Sequence, residues 1–114
     1  MDLDPDRLSL PDDRFVFEMT DKGFAPARVT LNGQAFDLMF FDPIRAGQEL
    51  RDLDQLGVAC TGENNVVLVL DVTVERLLHS VRHLRDHGYF LRTRPTVEPS
   101  AFEVHLPLDP TTEP

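Results

Sequence analysis

The spacing of hydrophobic and polar positions changes several times along the chain, and each change predicts an element. From Arg14 to Thr20, Phe15, Phe17 and Met19 alternate with Val16 and Glu18, a period of two that predicts a strand. Asp21-Lys22-Gly23 then predicts a turn. A second strand, Arg28 to Leu31, runs into Asn32-Gly33, a pair that tolerates positive φ and marks a tight hairpin. Gln34 to Phe41 is the returning strand. Together these segments predict a three-stranded antiparallel meander.

The period then becomes helical. Asp42 can cap a helix, and Pro43 suits its first position because the missing N–H has no intrahelical partner there. Ile44, Ala46, Leu50, Leu53 and Leu56 recur at helical spacing up to Gly57, which predicts a helix over 43–56. Val66-Val67-Leu68-Val69-Leu70 is a continuous apolar run, the pattern of a strand buried on both faces. Thr73 can cap a second helix from Val74 to His87, with Val74, Leu77, Leu78, Val81 and Leu84 as its stripe and Gly88 as its stop. Tyr89 to Arg94 and Phe102 to Leu106 read as two last strands.

The predicted class is α+β. The architecture is a two-layer sandwich in which the meander is followed by α-β-α-β-β, with two helices on one face of the sheet. Met39-Phe40-Phe41 and Val66 to Leu70 are apolar on both sides, so the face away from the helices is expected to need cover. The N-terminal segment, a sister subunit or a partner protein could supply it.

Composition changes this picture at the ends. Residues 1–13 hold two prolines and five aspartates and are expected to form a flexible acidic arm, with Leu3, Leu8 and Leu10 as its anchors. Residues 14–107 are then a single domain and 108–114 a disordered tail. A total of 114 residues suits one domain.

Charge narrows the function classes. Twenty acids against 11 Lys and Arg give a net charge of −9. Such a surface repels phosphate backbones and anionic bilayers, so neither nucleic acid nor membrane is expected as a partner. The lone cysteine, Cys60, cannot form an intramolecular disulfide. The first residues lack a basic start followed by an apolar run, and no stretch reaches the ~18 apolar residues of a membrane span. A cytoplasmic location is the expectation.

Two side-chain groupings are candidates for chemistry. His79, His83 and His87 recur every fourth residue, and two imidazoles one turn apart can ligate one metal. His79 and His83 lie opposite Val81 and are expected to face solvent. An HExxH pattern is absent, because Ser80 and Val81 follow His79. Between residues 76 and 94, five arginines face one acid, Asp86, an island of positive charge in an acidic protein. Arg76, His79, Arg82, His83, Arg92 and Arg94 form the candidate basic face, suited to phosphate, carboxylate or an acidic protein surface. Self-pairing with the chain's own acids is the competing expectation.

Asp42 and Asp71 each end a predicted strand before a helix, where open sheets often place ligands. As neighbours they would make a carboxylate pair able to hold metal or share a proton. No Gly-x-Ser-x-Gly elbow, phosphate-binding loop or dinucleotide fingerprint occurs, so neither a catalytic nucleophile nor a cofactor is expected.

The expected function is therefore binding without catalysis, by a small acidic protein-interaction module that meets a partner protein or, as a homodimer, a sister subunit. Small acidic bacterial proteins that neutralise a toxin share this size and charge, so an immunity- or inhibitor-type role is one concrete form. The alternative is a small metal- or ligand-binding domain or enzyme built on His79 and His83, or on Asp42 and Asp71.

Overall fold

The computed structural model describes residues 5–55, 65–99 and 101–109. Its elements run β1 (Arg7–Leu10), α1 (Asp13–Lys22), β2 (Phe24–Leu31), β3 (Gln34–Phe41), α2 (Pro43–Gln55), β4 (Val66–Leu68), α3 (Val74–Asp86), a 3-10 turn at Tyr89–Arg92, and β5 (Val104–Pro107). The five strands form one sheet in the order β4-β3-β2-β1-β5. All pairings are antiparallel except β3 with β4, which is parallel. The α+β class read from the sequence is the class observed.

The hairpin is where Asn32-Gly33 placed it. Asn32 has φ 50° and Gly33 φ 81°, and β2 pairs with β3 from Phe24↔Phe41 to Leu31↔Gln34. Helices α2 and α3 match their predicted spans to within a residue at the C-terminus. Asp42 accepts a hydrogen bond from Arg45 N at 2.7 Å, and Thr73 Oγ1 accepts one from Arg76 N at 3.2 Å.

Residues 14–20 form no strand. They lie in α1, whose N-terminus is capped by Asp12 accepting from Phe15 N at 2.7 Å and whose C-terminus is closed by Gly23 in the left-handed region. Phe15, Val16 and Met19 fit a helical stripe as well as they fit an alternation. Met19 is buried and Phe17 turns outward.

The arm expected over residues 1–13 supplies β1 instead. Leu8 and Leu10 are fully buried, and β1 is flanked by β2 on one side and β5 on the other. The meander is thus β1-β2-β3, with α1 inserted between its first two strands. At the other end, Leu108 is fully buried and its N–H donates to Asp6 O at 3.1 Å. Arg85 donates to both carboxylate oxygens of Asp109, at 2.8 and 3.0 Å, and this pairing holds Asp109 below the ordinary aspartate pKa. Residues 108 and 109 are therefore anchored, and 110–114 lie outside the described residues.

Two further strand expectations change. Tyr89–Arg92 is a 3-10 turn, entered through Gly88 at φ 79°, which swings Phe90 into the core against Phe36 at 5.1 Å between centroids. The run Val66 to Leu70 gives only three strand residues, at the edge of the sheet, with Leu68 and Leu70 exposed.

Register sorts the sheet into two unlike faces. Leu8 and Leu10 of β1, Ala25, Ala27 and Val29 of β2, and Phe36, Leu38 and Phe40 of β3 share the inner face. That face forms one core with Met19 of α1 and Leu77 and Val81 of α3.

The outer face is polar at its centre. Arg28, 8% exposed, meets Asp37 through two hydrogen bonds at 2.7 and 3.2 Å, and Ser9 Oγ lies 2.7 Å from His105 Nδ1. The chain itself returns over this face. Thr96 N donates to Ala35 O at the β3 edge, Glu98 O accepts from Arg28 at 2.9 Å, and Glu103 N donates to Leu10 O and Pro11 O. The cover expected from the arm or from another molecule is supplied in part by this strap.

Candidate functional site

Three surface regions hold the residues singled out by sequence, together with several that sequence reasoning missed. The first is the end of the sheet where the parallel strands β3 and β4 stop. Asp42 follows β3 directly, and its backbone N–H donates to Gly23 O at 2.9 Å. This ties the start of α2 to the end of α1. Thr20 of α1 donates to Val72 O at 2.7 Å, which ties the chain leaving β4 to the same helix. Phe15 meets Phe24 edge-on at 5.7 Å, and the Arg45 guanidinium lies 4.7 Å over the Phe24 ring.

Helices α1 and α2 and the β4 segment each leave large apolar side chains in solvent. Phe17 is 89% exposed, Leu70 74%, Ile44 72% and Leu68 68%. Phe17 is one helical turn from Thr20, Leu70 is two residues before Val72, and Ile44 is two residues after Asp42. Single exposed apolar residues are ordinary, but all four here sit on elements that meet or adjoin this joint in the chain. The sequence places Phe17 in a strand and Leu70 in a run buried on both faces, and the structure leaves both exposed. The sequence signal for Phe17 was its position off the Phe15-Val16-Met19 stripe, once Asp12 and Gly23 are taken as helix ends.

Gly23 holds the joint. At φ +76°, with an added Cβ falling 2.9 Å from Asp42 Oδ2, it admits no larger residue without displacing the α2 cap. Gly23→Ala is expected to destabilise the domain by at least ~1–2 kcal/mol from the left-handed backbone alone. Urea denaturation measures this, and an unchanged midpoint would contradict it.

The proposed carboxylate pair belongs to the same end. Strands β3 and β4 are indeed neighbours, with Phe41 opposite Leu68. Each carboxylate nevertheless has local work. Asp42 caps α2, while Asp71 accepts from Arg76 Nε at 3.2 Å and Thr73 Oγ1 at 3.4 Å.

The second region is the exposed face of α3. His79 and His83 are exposed, as their position opposite Val81 implied, and line a shallow cleft of ≈ 310 Å³ with Val67, Leu68 and Leu84. The His83 and His87 rings lie 4.1 Å apart, and His87 Nδ1 is 2.8 Å from His83 O. Among the described residues, no group of three or more His, Cys, Asp or Glu is placed to hold a metal ion. Cys60 lies outside the described residues.

The third region comes from the predicted basic face, which the fold divides. Arg76 pairs with Asp71, Arg82 donates to Leu108 O at 2.7 Å, and Arg85 pairs with Asp86 and Asp109. Self-pairing thus absorbs the ion-pairing capacity of Arg76 and Arg85, and Arg82 holds the C-terminal strap. Arg92 and Arg94 remain exposed and line a separate cleft of ≈ 790 Å³ with Tyr89, Asn65 and Thr96. Sequence reasoning missed these last three, because only the fold brings residue 65 beside residues 89–96.

No helix among the described residues is long and apolar enough to cross a membrane. Comparison with protein-family models, with curated proteins and with solved structures finds no match.

Proposed function

We propose that this chain is a non-catalytic protein-interaction domain, and that it meets its partner through the apolar end formed by Phe17, Ile44, Leu68 and Leu70. The supporting observation is that these four large apolar side chains, carried by α1, α2 and the β4 segment, are left exposed. Apolar anchors at the centre of a contact, ringed by polar groups, are the usual anatomy of a protein interface. Asp21, exposed on α1, and Asp42 stand at this end, within a protein of net charge −9. The partner surface that fits is an apolar socket rimmed by Lys and Arg, and electrostatic steering speeds their encounter. An immunity- or inhibitor-type protein facing a basic target is one form of this reading.

The test pairs a double variant with a stability control. Phe17→Ser with Leu70→Ser is expected to abolish capture of the wild-type partner from native lysate. Its melting temperature should stay within the range of ordinary surface changes, since both side chains are exposed. Capture should also weaken as salt is raised. A double variant that captures the same protein at wild-type yield would overturn the reading. If light scattering gives a wild-type dimer that the double variant breaks, the partner is a second copy of the chain.

A further inference from the structure

We infer that the cleft between Tyr89 and the β3 edge is a binding site for a small organic molecule carrying a dianionic oxoanion, of the phosphate-monoester type. The cleft has ≈ 790 Å³ of space, enough for a group with an organic body rather than a bare ion.

Its walls are held before any ligand arrives. Thr96 N donates to Ala35 O at 2.6 Å and Thr96 Oγ1 accepts from Asp37 N at 3.3 Å, which fixes one wall to the edge of β3. Asn65 is fixed to the same strand, donating through Nδ2 to Asp37 O at 3.1 Å and accepting from Met39 N at 3.0 Å. On the other side, Thr93 Oγ1 donates to Tyr89 O at 2.9 Å, and the Tyr89 ring packs edge-on against buried Phe90 at 5.1 Å. A preformed wall lowers the ordering cost of binding.

The charge is what selects the ligand. Arg14, Lys22, Arg28, Arg45, Arg76 and Arg85 each lie within ion-pair distance of a carboxylate. Arg92 and Arg94 have no carboxylate partner among the described residues, although acids outnumber bases 20 to 11. Two guanidinium forks at one cleft match the several oxygens of a phosphate group, and the Tyr89 ring offers an apolar wall to its organic part. Size follows from screening. Beyond about 8 Å at physiological salt the surrounding field is damped, so a small dianion is spared the more distant acidic surface. The near carboxylate of Asp37 is already paired with Arg28. A long polyanion would also meet the acidic remainder of the surface, which disfavours nucleic acid.

The site is remote in sequence from the apolar end and does not depend on it. Calorimetric titration of the full chain with phenyl phosphate tests it, with inorganic phosphate alongside. Saturable binding of phenyl phosphate, tighter than that of inorganic phosphate, is expected. Arg92→Ala and Arg94→Ala should each weaken it about tenfold or more, the effect of losing one charge-assisted hydrogen-bonded contact. Arg14→Ala, which removes the same charge elsewhere, should leave affinity unchanged, and an unaltered melting temperature in each variant would confirm intact folding. Absence of saturable binding, or equal weakening by Arg14→Ala, would overturn the assignment.

Discussion

Deletion of residues 1–11 is expected to leave the chain unfolded at 25 °C. The segment contains β1, which pairs with β2 through Arg7↔Thr30 to Ser9↔Arg28 and with β5 through Arg7↔Pro107 to Leu10↔Val104. Removing it strips β5 of its strand partner and opens the edge of β2. It also removes Leu8 and Leu10, both fully buried in the core. Truncating one buried leucine to alanine costs ~2–5 kcal/mol, against a total stability of ~5–15 kcal/mol for a typical domain. Loss of two leucines together with both strand ladders exceeds what such a domain can lose. Asp6 is removed as well, and its carboxylate accepts from Asn32 N in the hairpin at 3.1 Å. Far-UV circular dichroism and a urea titration of the truncated chain measure this. A cooperative transition near the wild-type midpoint would mean that the segment is the dispensable arm its composition suggests.

Phe40→Ala is expected to cost ~3–5 kcal/mol, the range for emptying a fully buried phenylalanine site. Phe40 lies on the inner face near the end of β3, opposite Ala25 on β2 and Val67 on β4, with no exposed surface. Ala25 is too small to close the gap, so most of the cavity should persist. The informative comparison is Phe17→Ala, which removes the same side chain from a position 89% exposed and should change stability by less than ~0.5 kcal/mol. Parallel urea titrations would show both. Similar losses for the two variants would mean that Phe17 packs inside the core and would contradict its outward position on α1.

These contrasts mark where the sequence was legible. Local signals read correctly because their partners are a few residues away. Asn32-Gly33 makes its own hairpin, and Asp42 and Thr73 cap the helices they precede. Residues 14–20 were misread because Phe15, Phe17 and Met19 satisfy a period of two while Phe15, Val16 and Met19 satisfy a helical one. Asp12 and Gly23, the two end signals, decide the matter and lie outside the alternating stretch. The role of β1 was hidden for a different reason. Its pairing with β5 joins residues almost a hundred apart, and its alternation of Leu8 and Leu10 with Arg7 and Ser9 spans only four residues among prolines and aspartates. Val66 to Leu70 shows the limit of composition, since an apolar run does not say whether a neighbour exists on each side.

The candidate sites follow the same division. The exposure of His79 and His83 could be read from their place opposite Val81. The fate of each arginine could not, because Asp109 and Leu108 reach α3 from more than twenty residues away. Sequence grouped Arg76, Arg82, Arg92 and Arg94 as one face. Folding commits the first two and leaves the last two on a cleft of their own.

The most direct measurement of the proposed binding surface is photo-crosslinking in the native cell from a benzophenone side chain introduced at Phe17, at Leu70 and, as a control, at exposed Val97 on the strap. One protein of discrete mass joined at both Phe17 and Leu70, and absent at Val97, is the predicted result. Equal crosslinking at all three positions, or a discrete adduct at Val97 alone, would contradict the assignment of the apolar end as the interaction surface.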